Sequence, residues 1–272
     1  MSHNYQHDPV AAMSESEATG EVAEIFADIR ETMQLPLLTS IWRILAGVPN
    51  GLLPVWEATK PIFESCQADA TLSRMLDQVE LPIPEHDICS TLDYSTVDWM
   101  QIRGVIDVYN RSNSLNFLAL SALDALPAAT YSEYTVASVD VNFPALPPLL
   151  AEKDMDAAQW AFLYELNKFG ATDDEPGLAT VWRHLAHWPA LLSQIHAGLA
   201  PLQLNGVIDQ AKHQLLAFAA QEGARLAHLV SKDVEIPLSA RTIVTKYVQH
   251  PGLVVRMVAI GQGLATWLRS EF

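Results

Sequence analysis

Pro36-Leu-Leu-Thr-Ser-Ile-Trp-Arg-Ile-Leu-Ala-Gly-Val-Pro49 returns 140 positions later as Pro176-Gly-Leu-Ala-Thr-Val-Trp-Arg-His-Leu-Ala-His-Trp-Pro189. Pro36, Leu38, Trp42, Arg43, Leu45, Ala46 and Pro49 are all repeated, and the register carries on to Leu52/Leu192 and Pro61/Pro201. An ungapped window that keeps a Trp-Arg pair and three prolines is not the product of composition alone. A period this long is that of a fused pseudo-dimer rather than a solenoid. Such a chain has one seam, and its two copies can diverge there to build an asymmetric pocket.

Outward from this stretch the pattern is helical. Val22, Ile25, Phe26, Ile29 and Met33 fall on one face of a helix that Pro36 ends. Thr39 or Ser40 caps the next helix, with Ile41, Trp42, Leu45 and Ala46, and Pro49 breaks the chain before a helix from about Gly51 to Cys66. Trp160, Leu163, Leu166 and Phe169 begin the second copy, and Ile29 over Leu166 gives an offset of 137, so that copy holds extra residues near Ala171–Asp174. Ser95-Thr-Val-Asp98 forms a capping box ahead of a helix through Ile102, Val105, Ile106 and Tyr109. Further helices are expected over about Val207–Val230, Ser239–Val248 and Gly252–Leu268. Tyr131–Val141 has a β-branched bias, but a lone strand has no partner and Pro144, Pro147 and Pro148 follow, so the segment reads as an extended linker. The expectation is an all-α chain with a disordered polar tail 1–19, helical repeat 20–127, Pro-containing linker 128–153 and helical repeat 154–272.

With 272 residues, half of them apolar, the chain can bury a sizeable core. A net charge of -16 argues against nucleic acid or an anionic membrane as partners. It also means that a small anion needs local help from arginines or a helix N-terminus. Cys66 and Cys89 are too few and too far apart for a disulfide framework, a redox pair or a cysteine zinc site. The first 19 residues lack a signal-peptide pattern, and no run approaches the roughly 20 apolar residues of a membrane span. The chain reads as soluble and cytoplasmic.

Several groups could carry chemistry. Trp42-Arg43 and Trp182-Arg183 could place an arginine, or the helix starts at Thr39/Ser40 and Thr180, against a carboxylate; equally, the tryptophans could be core and the arginines could join helices. Asp107, Asn110, Asn113 and Asn116 recur every three residues along one helix. Asparagine is a poor helix former, so these could bond a substrate or water in the seam, or cap a helix break near Ser112. His184 and His187 have ligand-like spacing but no third ligand nearby, and neither a metal nor a cofactor is expected.

Glu24-Ile-Phe-Ala-Asp-Ile-Arg30, Pro36, Ile41-Trp-Arg-Ile-Leu-Ala46 and Pro49, then Tyr109-Asn-Arg-Ser-Asn113 with Phe117–Leu123, then Val181-Trp-Arg-His-Leu-Ala-His-Trp-Pro189, resemble the group I 2-haloacid dehalogenases over roughly residues 20–265. The resemblance implies a cofactor-free and metal-free hydrolase of small 2-halocarboxylic acids, and a homodimer. It implies that an aspartate on the second Trp-Arg helix activates a water that attacks the halogen-bearing carbon directly, with inversion, while an asparagine of the Tyr109–Asn113 region orients the reactants. Here that aspartate falls at Val181, or at Thr180 if the register slips by one, and neither side chain takes a proton from water. Asp173, Asp174 and Glu175 are the nearest acids, either relocated bases or a solvated loop insertion.

The site expected from these residues has Asn113, Thr180 and Val181 at its centre. Trp42 and Tyr109 form its wall, and Ser40, Arg43, Asn110, Asn116 and Arg183 are further contacts for a carboxylic acid. Two functions stay open: a dehalogenase weakened or altered at Val181, and a non-catalytic small-carboxylate-binding or interaction protein of the same fold.

Overall fold

The computed structural model describes residues 12–76, 81–82, 92–135, 141–172 and 177–268. Among the described residues there are helices and no strand, and no helix is long and apolar enough to cross a membrane. The first half contains α1 (Gly20–Met33), α2 (Ser40–Ala46), α3 (Leu52–Glu64), α4 (Gln67–Leu76) and α5 (Thr96–Ser121). The second contains α6 (Ala157–Asn167), α7 (Thr180–Leu185), α8 (Pro189–Leu204), α9 (Val207–Leu226), α10 (Leu238–Gln249) and α11 (Val254–Trp267).

Local chemistry sets the ends of these helices. Gln34 takes a left-handed φ of 53° and closes α1 onto the carbonyls of Arg30 and Glu31, with Pro36 just beyond. Ser95 accepts from Asp98 N at 3.1 Å and Asp98 accepts from Ser95 N at 3.1 Å, so both halves of the capping box that opens α5 are made. α5 runs unbroken through Ser112, so its asparagines do not cap a helix break.

Some backbone features also recur at these spacings. Cys66 (φ 56°) and Gly206 (φ 72°), 140 apart, both turn left-handed to start α4 and α9. At an offset of 137, Glu15–Glu17 and Glu152–Asp154 are both 3-10 turns. In these, Ser14 N donates to Glu17 and Ala151 N donates to Asp154 in the same way. Residues 12–18, assigned above to a disordered tail, are held in place: Ala12 is buried, Glu15 pairs with Arg30, and Leu38 N donates to Glu15 at 3.0 Å. The earlier part of that tail lies outside the described residues.

α5, α9 and α11 pack on one another as the centre of the molecule. Around them α1 packs on α3 as α6 packs on α8, and α3 on α4 as α8 on α9. α10 reaches from α11 to α2, α3 and α5. The 141–151 segment crosses α5 at Gly104, where a Cβ would come within 2.3 Å of Pro144 Cγ. Glycine at that position is what lets the two backbones approach so closely.

Candidate functional site

A cavity of about 370 Å³ lies where α2, α5, α7, α10 and α11 meet. Two of its walls are Leu38–Ile41 and Leu178–Val181, the same four positions of the repeated stretch at the offset of 140. α5 supplies Tyr109 and Asn113, one turn apart on the same face. α10 supplies Lys246 and Tyr247, and the start of α11 supplies Leu253, Arg256 and Met257.

Helix rotation separates the asparagines. A three-residue spacing lags the helical repeat by about 60° per step, so the line from Asp107 to Asn116 turns about half-way around α5. Asn116, fully buried, accepts from Trp42 Nε1 at 2.9 Å and donates to Thr39 Oγ1. Asn110 donates to Gly261 O at 2.8 Å and faces a second, more open cavity of about 530 Å³ with Arg103, Asp107 and Gln262. Asn113 alone of the three lines the first cavity, and its amide has no hydrogen-bond partner among the described residues.

The structure therefore brings Asn113, Thr180, Val181, Tyr109 and Ser40 together at this cavity and places the five other residues outside its lining. Trp42 is not in the cavity wall; it is wholly buried, edge-on to Trp56 and tied to Asn116. Asn116 and Asn110 are used as above. Arg43 Nε donates to Met13 O and Arg183 Nε donates to Leu150 O, each at 2.7 Å, so both arginines grip a segment of backbone about thirty residues ahead of them. Trp182 differs from Trp42, because its Nε1 is buried without a hydrogen-bond partner among the described residues.

His184 was weighed above only as a metal ligand; its Nδ1 meets the Tyr109 hydroxyl at 2.8 Å, while His187 Nε2 meets Pro148 O at 2.8 Å. Burial, helped by the charges of His187 and Arg183, lowers the His184 pKa to about 4, so the imidazole is neutral and can accept the Tyr109 proton. The unfolded chain protonates this histidine near pH 6.5 while the fold resists until about pH 4. Its stabilising contribution is therefore complete above pH 6.5 and falls by about 3 kcal/mol as the pH drops to 4. Urea unfolding at neutral and acid pH should show His184→Gln losing less stability with acid than the unmodified protein. Equal losses would mean that His184 is not a buried neutral group.

Sequence reasoning expected α10 and α11 as helices but named no residue of either for the site. Lys246 is exposed at the cavity, and it has no ion-pair partner among the described residues. The Tyr247 hydroxyl likewise has no hydrogen-bond partner among the described residues; burial raises its pKa, which keeps it a neutral donor. Arg256 is 3% exposed, and its guanidinium donates to the carbonyls of Gly252, Asn167 and Phe169, drawing the 167–170 turn against the cavity. A lone cation in the apolar run Val254-Val-Arg-Met-Val-Ala-Ile260 was the one available signal. No Asp or Glu lines the cavity among the described residues, and Asp173, Asp174 and Glu175 lie outside them. Among the described residues no group of three His, Cys, Asp or Glu side chains is placed to hold a metal ion.

No family model matches the chain. Over 61 residues, 22% of this chain and 20% of the other, it is 36% identical to an (R)-2-haloacid dehalogenase of Pseudomonas putida, so this match spans a fifth of that relative's length. Over 224 residues, 77% of this chain and 75% of the other, it is 25% identical to a configuration-inverting 2-haloacid dehalogenase of Alcaligenes xylosoxydans xylosoxydans. Its fold matches that of a mutant D-2-haloacid dehalogenase at a TM-score of 0.70 and 14% identity, covering 95% of this chain and 96% of the other. It also matches a mutant D-2-haloacid dehalogenase in complex with D-2-CPA, at 0.67 and 16% identity, covering 95% and 93%.

Proposed function

As a relative of the 2-haloacid dehalogenases in sequence and in fold, the chain carries, we propose, a pocket for small 2-substituted carboxylic acids in which hydrolysis of 2-haloacids is slow. The observation that carries this reading is the uncommitted amide of Asn113 in the same cavity as Thr180 and Val181. Ser40, Thr180, Lys246 and Tyr247 add donors suited to a carboxylate, and the rest of the wall is mostly apolar, the composition that small-molecule sites require. The same proposal treats the chain as two fused copies with this cavity at their seam. Support comes from the paired walls Leu38–Ile41 and Leu178–Val181.

Direct hydrolysis of a 2-haloacid needs water to attack C2 as the halide leaves with the bonding pair. The proton released by the water must go to a base. Asn113 can orient the water or the departing halide, but Val181 accepts no proton. The absence of a lining carboxylate among the described residues also favours the second reading, a non-catalytic acid-binding protein.

Titration with 2-chloropropionate, followed by measurement of halide release, tests both. Binding is expected, weakened about tenfold or more in Asn113→Ala through the loss of a hydrogen bond to the bound ion. Halide release should be slow. No binding of any small carboxylate, or binding indifferent to Asn113, would sink the proposal; binding with no halide release at all would select the second reading.

A further inference from the structure

The cavity is larger than a three-carbon acid needs. At about 30 Å³ for each water-sized group, its roughly 370 Å³ holds about a dozen non-hydrogen atoms, and a three-carbon 2-haloacid fills about half of them. The remaining wall is hydrocarbon: Leu38, Ile44, Ile243, Leu253, Val254 and Met257 come from three different helices and their approaches, and none can bond a polar group. Polar capacity is instead gathered in a few side chains. Of these, Lys246 is exposed and carries a charge, with no acid paired to it among the described residues. In a chain of net charge -16, that cation is the local attraction an incoming anion requires.

Resting on the carboxylic-acid reading above, we infer that the preferred ligand is a medium-chain acid whose carboxylate is held by Lys246 and whose hydrocarbon tail fills the apolar wall. Each added methylene leaves water for that wall until the space is full. Short acids strand apolar surface that water must cover, so they bind weakly even where the carboxylate is well held. A wholly neutral chain of the same length gains the wall but not the cation.

Isothermal titration of the intact protein with 2-chloropropionate, 2-chlorohexanoate, 2-chlorooctanoate, octanoate and octanol separates these terms. Affinity should rise about threefold to fourfold per methylene from propionate to octanoate chains. Octanoate should bind about tenfold tighter than octanol. Lys246→Met should erase most of that preference while leaving octanol binding unchanged. Ile243→Phe, which fills part of the wall, should weaken 2-chlorooctanoate more than 2-chloropropionate. Affinity that is flat with chain length, or highest for 2-chloropropionate, would overturn the inference and leave the carboxylic-acid reading standing. Octanol bound as tightly as octanoate would overturn the role of Lys246. If none of the acids binds, the carboxylic-acid reading itself fails.

Discussion

Val181→Asp is expected to raise halide release from 2-chloropropionate by about a hundredfold, the lower end of what a positioned general base contributes. Val181 is 6% exposed, lines the cavity in the first turn of α7, and shares that cavity with Asn113. A carboxylate there could accept the proton of a water held by the Asn113 amide as the water attacks C2. The substitution has a cost, since burying a carboxylate raises its pKa and destabilises the fold by up to several kcal/mol. Lys246 and the hydroxyls of Ser40, Thr180 and Tyr247 lie in the same cavity and moderate that cost. The gained activity should therefore grow with pH through a pKa above the ordinary aspartate value.

Val181→Asn separates basicity from polarity: it is similar in shape to aspartate, takes no proton, and should give no gain. Asn113→Ala on the Val181→Asp background should abolish the gain. If Val181→Asp folds and binds the acid but is no faster than Val181→Asn, the base does not belong at this position. Rapid dehalogenation by the unmodified protein would overturn the reading of Val181 from the other side.

Arg225→Met is expected to cost about 3–5 kcal/mol of stability, because it leaves a buried carboxylate without its cation. Arg225 is 7% exposed and Glu222 4%, and Nε donates to Glu222 at 2.7 Å. The same guanidinium donates to Gln67 at 2.9 Å and Thr71 at 2.6 Å, both on α4, and lies 3.9 Å from the centre of the Tyr134 ring. The Tyr134 hydroxyl donates to Glu222 at 2.8 Å, its backbone N–H donates to Gln67 Oε1 at 2.9 Å, and its carbonyl accepts from Gln67 Nε2 at 3.0 Å. One cation thus joins α9, α4 and the segment between the two halves. Urea unfolding measures the loss, and Arg225→Met combined with Glu222→Gln should recover part of it, since the stranded charge has gone. A single variant within about 1 kcal/mol of the unmodified protein would show that Arg225 is not the joint described.

How far the sequence could be read depends on the range of the interactions concerned. The Ser95–Asp98 capping box, Pro36 after α1 and the Pro49/Pro189 breaks act within a turn or two, so those helix ends were legible from neighbouring residues. What anchors Met13 and Leu150 is an arginine about thirty residues away in each case, a range at which no local pattern places those segments. Asn113 was named from its place in the resemblance to the dehalogenases. Its separation from Asn110 and Asn116 was not evident until the rotation of α5 was set against its neighbours.

By itself, then, the sequence determined that the chain is helical and that one stretch occurs twice at an offset of 140, since each of these is a matter of local pattern or residue identity. Only the tertiary structure decided which side chains share the cavity. Ser40, Asn113, Thr180 and Lys246 are brought together from helices spread over two hundred residues of chain by the packing of α5 against α7, α10 and α11. No spacing in the sequence encodes that meeting, because it depends on how each helix is turned once its apolar face is buried.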